Sequence, residues 1–303
     1  MGKNLAKTPL IAIFVATLVY AAMDFLPFSA EYTAAWESAV TPRNSYLIYL
    51  GGMLILTIAI VLALSFMQKS IISLSIFALV APLYLWGLPA LPMLWFGDVT
   101  KTVTTADILL SLAVLTAGTI LALVLTSLLI PGGNSAGSYK LKFPGLIMKI
   151  LSLPFLYLFM YFVSWHFLGW RHEAVRVFSG GTAEHEHFLQ ALINLIFRDP
   201  TVVPFVLISG LLYLLLTLAI LTRFPGQRVV FIVVMCMLSA VGCAYRLISV
   251  PWIPEELRFT FFLRDSSVAF IFTLVSATLL HLSCHKQQTA PSPEPKQAAP
   301  AGR

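Results

Sequence analysis

Four of the six histidines fall between positions 166 and 187, interleaved with arginines, carboxylates and two tryptophans. The run reads Trp165-His166-Phe167-Leu168-Gly169-Trp170-Arg171-His172-Glu173-Ala174-Val175-Arg176, followed past Gly180-Gly181 by Glu184-His185-Glu186-His187. Two kinds of chemistry fit these residue types. Imidazole and carboxylate are ligands for divalent metals, which makes His172, His185 and His187 candidate metal ligands. The spacing does not favour that reading. Residues two apart point to different faces of a helix, so His185 and His187 would ligate together only from an extended backbone, and no HExxH or zinc-finger spacing is present. A solvated polar loop is the plainer reading of the second half of the run.

The second kind of chemistry is anion recognition. The guanidinium groups of Arg171 and Arg176 present planar forks that match phosphate or carboxylate oxygens. With His172 and Glu173 between them and Trp165 and Trp170 as a flanking wall, they form the candidate ligand site. Asp24 and Arg246 join it as ionisable groups expected close to the interior of membrane spans, where charge is costly and tends to be paired or functional. An anionic lipid headgroup or a small molecule is the ligand these residues imply. Pairing of the arginines with Glu173 or other acids, and outward snorkelling of Arg246, are the competing structural readings. No cofactor is expected. The chain contains no Walker loop, dinucleotide fingerprint or serine nucleophile elbow, so the reading leans away from an enzyme. His281 and His285 are four apart, on one helical face, but have no third ligand nearby. Cys236 and Cys243 would be separated by about 10 Å along a helix, beyond disulfide reach.

The elements that carry these residues follow from composition. The chain has 303 residues, of which 59% are hydrophobic and 11% charged, with a mean hydropathy of +0.89. Soluble domains carry roughly 25% charged residues, so water cannot be the solvent for most of this surface. The fold class expected is all-α: a polytopic helical membrane protein of about eight transmembrane helices. About 20 apolar residues cross a bilayer, and such runs lie near 9–28, 45–67, 71–96, 106–130, 146–170, 201–222, 228–248 and 266–283. The first is short and bracketed by Lys7 and Asp24. A cleaved signal peptide is its alternative.

Threading eight spans with both termini in the cytoplasm puts eleven basic residues and one acid, Glu294, on the inner side. The outer side receives eight basic residues and twelve acids. This agrees with the positive-inside rule, and all six tryptophans then fall toward the outer side. The net charge of +6 is therefore read as membrane topology, with no nucleic-acid partner. The third span holds Pro82, Pro89 and Pro92 and is expected to end near Leu85, with an apolar loop after it, or else to be a broken helix lining a wet cavity. Residues 184–198 have the apolar spacing of a short amphipathic helix lying in the membrane plane, and 249–265 is expected as an outer connection.

The domain reading is a transmembrane domain over 1–286, with an outer cap loop at 171–200, and a disordered cytoplasmic tail over 287–303 rich in proline and alanine. The function expected is binding or translocation of a small or lipid-like ligand through an outward-facing site, in the inner membrane of a bacterium. Two alternatives remain. One is an accessory subunit that packs against a membrane-protein partner through the small residues Ser239, Ala240, Gly242 and Ala244. The other is a metal-dependent enzyme using the cluster at 172–187.

Overall fold

Long apolar runs rich in leucine, isoleucine, valine and phenylalanine satisfy their backbone polar groups internally by forming helices, and the described residues do so almost throughout. The computed structural model describes residues 11, 44–67, 70–96, 105–130, 139–141, 143–178, 187–224, 228–249, 255–282 and 284–286. In order these form α1 (Asn44–Phe66), α2 (Ile71–Pro82), a π-helical turn (Leu83–Gly87), α3 (Leu88–Phe96), α4 (Thr105–Leu129), strand β1 (Tyr139–Leu141), α5 (Phe143–Ser164), a second π-helical turn (Trp165–Trp170), α6 (Glu173–Phe178), α7 (Phe188–Arg198), α8 (Val202–Leu221), α9 (Arg228–Ser249), α10 (Glu255–His281) and strand β2 (Cys284–Lys286).

Among the described residues, three helical stretches are long and apolar enough to cross a membrane: Gly145–Trp170, Val202–Leu221 and Leu257–His281. At 1.5 Å per residue they span about 30 to 39 Å, matching a hydrocarbon core of about 30 Å. They pack on one another, with α5 against α8 and α10, while α9 lies along α10 and α1. The α5–α8 approach depends on Gly210. A Cβ there would sit 2.8 Å from Cβ of Tyr157, so the absence of a side chain lets the two backbones close together, as small residues do in membrane bundles. Side chains such as Leu128, Leu151, Phe155 and Phe159 remain exposed on the outside, which suits lipid as the surrounding medium.

Local signals set several boundaries. Ser70 caps α2 by accepting the backbone N–H of Ser73 at 3.1 Å, satisfying one of the orphan donors of the first turn. Asp199 accepts both the N–H and the hydroxyl of Thr201, at 3.0 and 2.6 Å, and so fixes the entry to α8.

Two expectations require correction. The third run does not end near Leu85 and is not broken. Helix continues from Ile71 to Phe96 through the π-helical turn, in which the Leu88 N–H donates to the Leu83 carbonyl five residues back. Pro89 has no N–H to continue an α-helical ladder. The wider π-helical turn absorbs that conflict without opening the helix. The connection expected over 249–265 is also shorter than the charges suggested, because α10 begins at Glu255. Arg264 and Asp265 sit within that helix as an ion pair, Nε to Oδ1 at 2.9 Å.

The two ends of the bundle differ. At one end β1 and β2 pair antiparallel, Tyr139 opposite Lys286 and Leu141 opposite Cys284. This joins the segment before α5 to the segment after α10. Lys149 Nζ adds a 2.6 Å hydrogen bond to the Leu279 carbonyl. The opposite end carries the second π-helical turn, α6 and α7. Trp95 at the close of α3 contacts Phe205 near the start of α8, with ring centroids 5.7 Å apart, so it belongs to this second end with Trp165 and Trp170.

Candidate functional site

The wall expected from Trp165 and Trp170 exists as a stacked pair, with centroids 4.4 Å apart and planes at 27°. The π-helical turn brings together two indoles five positions apart, which a regular α-helix would separate by about 140°. Both rings are buried, and Ala191 and Leu195 of α7 pack against them. The wall therefore faces a helix of the same chain. The indole N–H of Trp170 is buried and has no hydrogen-bond partner among the described residues. A donor of that kind is costly to leave unpaired and suits an acceptor oxygen supplied by a ligand.

Arg176 also has a structural task. It is 5% exposed, and its Nη1 donates to the carbonyls of Trp170 at 2.7 Å and Arg171 at 3.0 Å. Those carbonyls lie where the long helix ends, so the guanidinium closes the helix terminus with charge-assisted hydrogen bonds and favourable dipole contact. Arg171, His172 and Glu173 are exposed. Arg171 lies over the Phe167 ring at 5.5 Å, and Glu173 opens α6, where a carboxylate complements the helix N-terminus. The candidate residues of this run thus divide into an exposed rim, Arg171-His172-Glu173, and a buried support, Trp165, Trp170 and Arg176.

His187 is exposed at the start of α7. His185 and Asp24 lie outside the described residues, and of Arg246 only the helical backbone position on α9 is described. Among the described residues no group of three or more His, Cys, Asp or Glu side chains could hold a metal ion.

Two features near and beneath this end were not singled out from the sequence. Arg264 packs against the π-helical turn: a Cβ on Gly169 would lie 3.3 Å from its Cδ. Its backbone carbonyl accepts the Ser164 hydroxyl at 2.9 Å, and its guanidinium lies over Phe261 at 4.6 Å. A second constellation lies at the middle of the bundle. Tyr84, in the first π-helical turn, shares a 2.6 Å hydrogen bond with Thr273. Its ring meets Tyr213 edge-on at 5.2 Å, while Tyr157 meets Phe272 edge-on at 4.9 Å. Tyr84, Tyr157 and Tyr213 are all buried. The signal was present: a tyrosine in an apolar run needs a partner for its hydroxyl, and Thr273 is a polar residue in another such run.

The exposed face of α7 completes the geometry. Its inner side, Ala191 with Leu192 and Leu195, packs on the protein, and Gln190, Asn194 and Arg198 form a polar stripe. Between them runs an apolar row, Leu189, Ile193 and Phe197, which are 68%, 52% and 83% exposed.

No family model matches the chain, and neither the characterised proteins nor the solved structures show a significant similarity to it.

Proposed function

We propose that the chain is a multi-pass membrane protein that binds or translocates a small or lipid-like anion from the end of the bundle bearing Trp165 and Trp170. The observation that carries this reading is the presence, at one end of the bundle, of an exposed rim with the Arg171 guanidinium and the His172 imidazole and of the exposed apolar row of α7. A phospholipid has just these two parts, a charged phosphate and acyl chains. The same row suits α7 to lie in the interface, with Leu189, Ile193 and Phe197 toward the acyl region.

The reading extends to topology. Beside the three long apolar spans, α1 has 23 residues, α4 has 25 and α9 has 22, and Ile71–Phe96 is one continuous helix. With residues 9–28 this amounts to eight spans, with both termini cytoplasmic and the tryptophan end facing outward, in a bacterial inner membrane. The segregation of acids from the ribbon end supports that direction.

Binding of dihexanoyl-phosphatidylglycerol to the purified full-length protein tests the function. Arg171→Ala with His172→Ala removes the rim without touching the buried support. A charged hydrogen bond is worth about 1.5–3 kcal/mol, so affinity should fall at least about tenfold with the helical signal unchanged. Unaltered affinity in a folded double variant removes the proposal.

A further inference from the structure

Arg223 lies in the turn between α8 and α9, two residues past the end of the Val202–Leu221 span. Its backbone N–H is used, donating to the Ile220 carbonyl at 2.9 Å. Its side-chain Nε is buried and has no hydrogen-bond partner among the described residues. Arginine offers only donors and keeps its charge at any physiological pH. A partner for it must therefore be an acceptor, and preferably an anion.

Among the described residues, those near this turn bring further basic groups and no carboxylate. Arg228 follows across the same turn and is exposed, and it lies close enough to His281 at the end of α10 to act on it electrostatically. Lys149 reaches the Leu279 carbonyl in that same last stretch of α10. Immediately beyond, the β1–β2 ribbon carries Lys140 directly opposite His285, with Lys286 at its edge. The described segments that meet here, 139–141, 143–149, 222–224, 228–231, 278–282 and 284–286, contain no aspartate or glutamate. A basic cluster with a buried, unpartnered guanidinium nitrogen and no carboxylate in its own segments is a half-complete ionic site.

We infer that this end of the bundle seats the phosphate of an anionic phospholipid, with Arg223 donating through Nε to a phosphate oxygen and Arg228 contributing charge at the rim. The depth favours a lipid over free phosphate. The residue sits two positions past an apolar span about as long as the hydrocarbon core is thick, which puts it beside the headgroup phosphates when that span crosses a bilayer. Basic pockets between spans are known seats for such headgroups. This site is at the opposite end from Arg171 and does not depend on the function proposed above.

The test uses the full-length chain in nanodiscs of phosphatidylcholine containing a minor fraction of phosphatidylglycerol, with co-purified lipid counted by native mass spectrometry after detergent extraction. Wild type should retain phosphatidylglycerol over phosphatidylcholine, with retention falling as salt rises. Arg223→Gln should reduce that preference about tenfold, and Arg228→Gln only about twofold. Arg223→Lys separates a hydrogen-bonded seat from bulk attraction, because it keeps the charge but loses Nε. It should lose most of the preference, and it also serves if the glutamine variant fails to fold. Retention by the lysine variant equal to wild type, or no preference in wild type, would overturn the inference. Tight binding of inorganic phosphate in lipid-free detergent, undiminished by added phosphatidylglycerol, would overturn the lipid as its source.

Discussion

The two π-helical turns make a useful pair. Each interrupts a long helix with a wider turn, and each gathers aromatic rings, yet they serve opposite environments. Leu83–Gly87 lies in the core, where Tyr84 is 1% exposed and its hydroxyl is matched to Thr273. Trp165–Trp170 lies at the end of α5, where the aromatic pair is buried but is followed at once by the exposed Arg171, His172 and Glu173. The first turn brings polar atoms to the bundle centre and satisfies them there. The second leaves an indole N–H without a hydrogen-bond partner among the described residues and is followed by exposed charged side chains. π-Helical turns often mark functional positions. In this molecule the exposed charged side chains lie beside the second turn, while the first lies among buried rings and joins Tyr84 to Thr273 of another helix.

Substitutions can break that contrast. The largest effect is expected at the first turn. Tyr84→Ala removes a fully buried ring and leaves a void among Tyr213, Thr273 and their neighbours. Losses for large-to-small core changes run to about 3–5 kcal/mol in water-soluble proteins. Lipid is as apolar as the core, so packing rather than transfer from water carries the cost here, and about 3 kcal/mol is expected. Unfolding of the variant in increasing mole fraction of sodium dodecyl sulfate measures it, and wild-type resistance would mean that the core turn is not a packing anchor. Next comes the support of the second turn. Arg176→Met preserves bulk but removes the donors to the Trp170 and Arg171 carbonyls, so a loss of about 1.5–3 kcal/mol should appear in the same assay. The smallest effect on stability belongs to the exposed rim: Arg171→Ala should change it by about 0.5 kcal/mol or less while weakening anion binding. If Arg171→Ala destabilised the protein as much as Arg176→Met, the division between rim and support would be wrong.

Much of the helical fold was legible because long apolar runs have one common solution in lipid. The run read as 201–222 is α8 over Val202–Leu221, and that read as 228–248 is α9 over Arg228–Ser249. The start of α10 was misread because Arg264 and Asp265 look like loop residues. As neighbours they neutralise each other, and Arg264 packs on Gly169, so the helix carries both. The third run was misread because three prolines argue for an ending, and a single-residue widening of the turn leaves no mark in the sequence that separates it from a break. At the site, the sequence could place Trp165, Trp170, Arg171 and Arg176 near one another but could not divide them into buried and exposed. That division depends on the π-helical turn and on α7 covering the indoles. The Tyr84–Thr273 contact joins residues 189 positions apart, a separation over which no local pattern operates.

The claim beneath all of this is that the tryptophan end and the ribbon end lie on opposite sides of a bilayer, with the tryptophan end outside. Single cysteines at Arg171 and Arg228, both exposed, test it in a chain whose Cys284 is replaced by serine. Cys236 and Cys243 are buried and stay in place. A membrane-impermeant maleimide applied to intact cells should label the cysteine at position 171 and leave that at 228 unlabelled until the membrane is permeabilised. Labelling of 228 but not 171 in intact cells, or of both alike, would contradict the account.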